Sequence, residues 1–63
     1  MEQLLKEGFY YKVELKARKK NIIKDMRIYY YGIEIYHHIL HMSVSADIIF
    51  MNICTEYKNN FIK

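Results

Sequence analysis

The sequence predicts an α+β fold with a small antiparallel sheet, and three observations lead there. Phe9, Tyr11, Val13, Leu15 and Ala17 alternate with Tyr10, Lys12, Glu14, Lys16 and Arg18. This period of two, with aromatic and β-branched types on the apolar side, is a strand with one face buried and one face wet. The segments that follow lie too close together for the crossovers of about a dozen residues that parallel strands require. From position 46 onward apolar residues recur every fourth position, the stripe of a helix that packs on a sheet.

Taken in order, the first element is a short N-terminal helix over residues 2–7, stopped by Gly8, since glycine takes the left-handed conformation beyond a helix end at little cost. The first strand covers about 9–17. Arg18-Lys19-Lys20-Asn21 reads as a turn, a position that suits asparagine. A second strand is expected over about 26–36, rich in isoleucine and tyrosine, with Gly32 as a bulge inside it. Leu40, Met42 and Val44 alternate with His41, Ser43 and Ser45, which places a third strand at about 39–44. The last helix covers about 46–58. Ser45 caps it, Asp47 complements the dipole of its first turn, and Val44 with Ile49 forms a hydrophobic staple. Ile49, Ile53, Tyr57 and Phe61, joined by Phe50 and Cys54, make its buried stripe. The rival is an all-α fold, because Ile22, Met26, Tyr29 or Tyr30, and Ile33 also fit helical spacing.

The 63 residues leave room for one domain, 1–63. A domain this small is marginal by itself and often relies on disulfides, a metal or a partner. Cys54 is the single cysteine, so no intrachain disulfide can form, and a lone cysteine suits a reducing, cytoplasmic setting. The N-terminus lacks the pattern of a secretory signal, and no run of apolar residues is long enough to span a bilayer. The hydrophobic content of 52% is high for so small an interior. It predicts an apolar Tyr/Ile-rich surface left over for a partner protein or for self-association as a homodimer. Small inhibitors and adaptors have this size.

Charge is uneven. Residues 1–27 carry eight basic and four acidic side chains, and the remainder is slightly acidic. Such asymmetry points to a polyanion or an acidic protein surface as partner. The candidate binding residues are Lys16, Arg18, Lys19, Lys20, Lys24 and Arg27, with Tyr10, Tyr29, Tyr30 and Tyr31 interleaved. Cations neutralise phosphates and exposed rings stack on unpaired bases, so a nucleic-acid-binding module is the alternative to a protein-binding one.

Other motifs are weaker. His37-His38-x-x-His41 with Cys54 has imidazole and thiolate ligands but lacks a fourth at a zinc-like spacing, so neither metal nor cofactor is expected. On a strand, His37 and His41 share a face and His38 points away. The stretch His41–Ile49 resembles the turn and second helix of a helix-turn-helix, yet Ala46–Cys54 has no basic residue to read bases. No nucleophile elbow, phosphate loop or carboxylate pair is present, and no catalytic residue is expected. The expectation is a regulatory or interaction protein rather than an enzyme.

Overall fold

The computed structural model of the chain describes residues 7–61. It contains β1 (Phe9–Arg18), β2 (Asn21–Tyr30), β3 (Ile33–His41) and α1 (Ala46–Phe61), in that order. The strands form one antiparallel sheet in the order β1-β2-β3, and α1 packs across one face of it. The α+β class therefore holds. The helix expected over residues 2–7 lies outside the described residues, apart from Glu7, which is in a turn.

The strand bounds correct the sequence reading. Residues 26–36 are not one strand, because Tyr31-Gly32 forms a two-residue loop between β2 and β3. Both loop residues have positive φ, +48° and +82°, as the hairpin turn that matches strand twist requires. Gly32 thus sits in a turn, and the register shift lies elsewhere, between Ile28 and Tyr29 opposite β3. Ile35 is the extra residue there, since Ile28 faces Tyr36 and Tyr29 faces Glu34. The third strand begins at Ile33 instead of position 39, and 42–45 is the loop into α1. The basic stretch is also less loop-like than expected. Only Lys19 and Lys20 are unpaired, and Asn21 already belongs to β2. Because β3 precedes the 42–45 loop, the helix-turn-helix reading of His41–Ile49 and the all-α alternative both fail.

Alternation assigns the two faces. The register pairs Phe9 with Tyr30, Tyr11 with Ile28 and Val13 with Met26, all beneath α1. The core is Phe9, Met26, Ile28, Leu40, Phe50 and Cys54, with Met26 and Ile28 fully buried. Tyr11 bridges sheet and helix: its ring meets Phe50 at 4.6 Å and its hydroxyl donates to Asp47. Tyr57 packs its ring against Tyr30 at 5.3 Å and Phe9 at 6.0 Å. Ser45 directly precedes α1, and its carbonyl accepts from Ile49 N–H as the first backbone bond of the helix.

A helix of 16 residues is about 24 Å long, whereas a 10-residue strand runs to about 33 Å. The helix therefore cannot cover the whole β1-β2 hairpin. Its distal part, Leu15, Ala17 and Ile22, continues the core-side face without a cover and is exposed, Leu15 by 63% and Ile22 by 55%. No helix among the described residues is long and apolar enough to cross a membrane.

Candidate functional site

The face opposite α1 is built from the other half of each strand. Its cross-strand rungs follow from the register. Tyr10, Tyr29 and Glu34 form the first. Lys12, Arg27 and His37 form the next, followed by Glu14, Asp25 and Ile39. Lys16, Ile23 and His41 come after them, and Arg18 with Asn21 ends the series beside the Lys19-Lys20 turn.

At the first rung Tyr10 and Tyr29 stack with centroids 4.9 Å apart and planes 14° from parallel. Directly opposed aromatics on one sheet face lie within reach of each other, which is why the register produces this pair. Tyr10 remains 45% exposed, and the Lys12 ammonium lies 5.7 Å from the Tyr29 ring centre. The pair is an aromatic platform bordered by a cation.

Asp25, on the central strand, is the electrostatic hub. It is only 4% exposed although it stands on the open face. Lys16 Nζ approaches one carboxylate oxygen at 2.8 Å from β1, and His37 Nε2 approaches the other at 2.7 Å from β3. Hydrogen bonds from Lys16 first, and then from His37, hold the Asp25 carboxyl below the usual carboxylate range against the opposing effect of burial. Arg27 Nε stands 3.9 Å from the same carboxylate without a hydrogen-bond partner among the described residues, and Arg27 Nη1 lies 3.7 Å from Glu34.

Charge separates between the two sides of the molecule. The open face and its hairpin turn carry Lys12, Lys16, Arg18, Lys19, Lys20 and Arg27 against Glu14, Asp25 and Glu34, a net of +3. The other described charges are Lys24 and Lys58 against Glu7, Asp47 and Glu56, a net of −1. The excess positive charge of the described chain thus sits on one side, as a patch that attracts an anion needs.

The structure brings together seven of the ten residues nominated from sequence. Tyr10, Lys16, Arg18, Arg27 and Tyr29 share the open face, with Lys19 and Lys20 at its end. The other three lie elsewhere. Lys24 is on the helix side and donates to the Val44 carbonyl at 2.8 Å. Tyr30 packs against the core with its ring 4.5 Å from that of Phe9, and Tyr31 occupies the β2-β3 turn. Sequence reasoning missed Lys12, although the β1 alternation already placed it beside Tyr10. It also missed Asp25, which lay in a segment given no strand.

The histidines divide as a strand divides them. His37 and His41 face the open side, while His38 is on the helix side, stacked on Tyr36 at 4.8 Å. Cys54 is buried in the core under α1. Among the described residues no group of three or more His, Cys, Asp or Glu side chains could hold a metal ion.

Set against known proteins, the chain matches no family model, no curated protein and no solved structure.

Proposed function

We propose that this protein is a small non-enzymatic binding module that takes single-stranded nucleic acid on its open sheet face. The observation that carries the reading is the union, on the face opposite α1, of the stacked Tyr10–Tyr29 pair with the excess positive charge of the described residues. Unpaired bases stack on aromatic side chains whatever their sequence, for about 1–3 kcal/mol per base. Lysine and arginine beside them neutralise the phosphates. A helix-backed antiparallel sheet holds both groups on a rigid surface, as sheet-based RNA readers do. Lys12 and Arg27 are the phosphate contacts nearest the platform, and Lys16, Arg18, Lys19 and Lys20 extend the track along the hairpin. The module would work in the cytoplasm.

The test is binding of labelled oligouridine and oligothymidine, followed by fluorescence anisotropy from ~50 to ~200 mM salt. Log affinity should fall with log salt with a slope of about −2 to −4, the value for roughly three to six phosphate contacts on a single strand. Tyr10→Ala should weaken binding roughly tenfold, equivalent to about 1.4 kcal/mol. Lys12→Glu should both weaken binding and flatten the salt slope. Absence of binding at the lowest salt would sink the reading.

A second reading, docking on a partner protein or on another copy as a homodimer, has its own support. Leu15 and Ile22 are exposed on the hairpin's helix-side face, where α1 does not reach. The exposed apolar surface consists mainly of isoleucine, leucine and methionine, since Tyr11, Tyr30, Tyr36 and Tyr57 pack against the core. A regulatory role as inhibitor or adaptor belongs to this second reading.

A further inference from the structure

We propose that His37 makes nucleic-acid binding at the open face pH-dependent, adding a positive charge to the phosphate track in mildly acidic solution. This rests on the nucleic-acid reading above and names a regulation of that same face.

His37 shares a cross-strand rung with Arg27 and Lys12, the cations nearest the Tyr10–Tyr29 platform. It is exposed, so a strand of nucleic acid lying on the rung can reach it. Its Nε2 is fixed 2.7 Å from Asp25, so Nδ1 is the ring nitrogen not engaged by that carboxylate. Histidine is the side chain whose charge ordinarily changes between about pH 5 and 8.

The neighbours determine what that change does. On this face β1 contributes Tyr10, Lys12, Glu14, Lys16 and Arg18, β2 contributes Asp25, Arg27 and Tyr29, and β3 contributes Glu34 and His41. The helix lies on the other face. Asp25 already has Lys16 at 2.8 Å, so with neutral His37 the three groups sum to zero. Protonated His37 brings the trio to +1. The same carboxylate that accepts from Nε2 accommodates the added charge beside Arg27, so the imidazolium need not turn away from its rung. Asp25 acts here as a positioning residue. His41 also faces this side, but it bonds Ser43 at 3.0 Å, next to the loop and two rungs from Arg27.

The experiment repeats the oligouridine anisotropy titration at about pH 8 and about pH 6 at fixed ionic strength. Wild-type affinity should rise roughly three- to tenfold at the lower pH, with a salt slope steeper by about 0.7, the mark of one further phosphate contact. His37→Gln should abolish the gain, whereas His41→Gln should retain it. His37→Lys keeps its charge throughout and should bind without pH dependence at the tighter level, which serves as the check if the glutamine variant is poorly folded. A flat wild-type response, or the same response in His37→Gln as in wild type, would overturn the proposal while leaving nucleic-acid binding intact. No binding at either pH would overturn both.

Discussion

At Gly8 two independent constraints meet. Its φ is +85°, a region that L side chains enter at a cost, and a Cβ there would come within 2.4 Å of the Tyr31 ring. The contact is local and structural, because Tyr31 N–H donates to the Gly8 carbonyl at 2.8 Å and joins the start of β1 to the β2-β3 turn. Gly8→Ala should cost about 1–3 kcal/mol in urea unfolding, from backbone strain together with overpacking. Adding Tyr31→Ala should recover the part due to the ring and leave the part due to φ. Asp25 imposes the other residue-level constraint. Its folded carboxyl titrates below its unfolded value, so the unfolded chain binds more protons as pH falls. The stabilisation is present above the unfolded value, near pH 4, and is lost as pH drops through the folded value. Acid unfolding followed by circular dichroism should therefore show a loss beginning below about pH 4. Asp25→Asn should be less stable at neutral pH and should lose stability less steeply on acidification.

The β1-β2 hairpin is the element on which both functional readings depend. One side carries Lys16 and Arg18, and the other carries Leu15, Ala17 and Ile22 beyond the reach of α1. A joint Leu15→Glu and Ile22→Glu variant separates the two. It should fold with a melting temperature close to wild type, because neither side chain is buried. Under the nucleic-acid reading its oligonucleotide affinity falls only modestly, by the repulsion of two added carboxylates. If the protein pairs with itself through this strip, light scattering should show a dimer in wild type and a monomer in the variant. The elements also show how far sequence reasoning reaches. The ten-residue alternation of β1 and the four-residue repeat of α1 were legible because one regular period persists along each. The β2-β3 hairpin was not, because Tyr31-Gly32 carries the only glycine signal and Tyr29-Tyr30-Tyr31 runs into it without a change of residue type. The central strand hides its own period for another reason. Flanked on both sides by strands, β2 places Asp25 in a nest of cations and Lys24 against a loop carbonyl, so its polar residues do not mark a wet face. The nominated site was recovered mainly through β1, and Lys24 and Tyr30 were misassigned because the phase of β2 could not be read.

At the scale of the whole molecule, the shape matches the division of labour. The radius of gyration is 12.8 Å, above the about 10 Å of a compact chain of this length, and the principal extents are 44 × 20 × 18 Å. A small core under α1, with a ring of half-buried side chains around it, fixes the sheet, and much of the rest of the described chain is exposed. Among the described residues the open face and its hairpin turn have a net charge of +3 and the others −1, so a polyanion would be oriented toward the open face as it approaches. The most direct test of the central claim is a ¹H–¹⁵N chemical-shift titration of the labelled protein with unlabelled oligouridine at low salt. Perturbations should concentrate at Tyr10, Lys12, Lys16, Arg27, Tyr29 and His37 and fade along the hairpin toward Lys19 and Lys20, with α1 spared. Shifts confined to Leu15, Ile22 and the exposed side of α1, or no shifts at all, would contradict that claim.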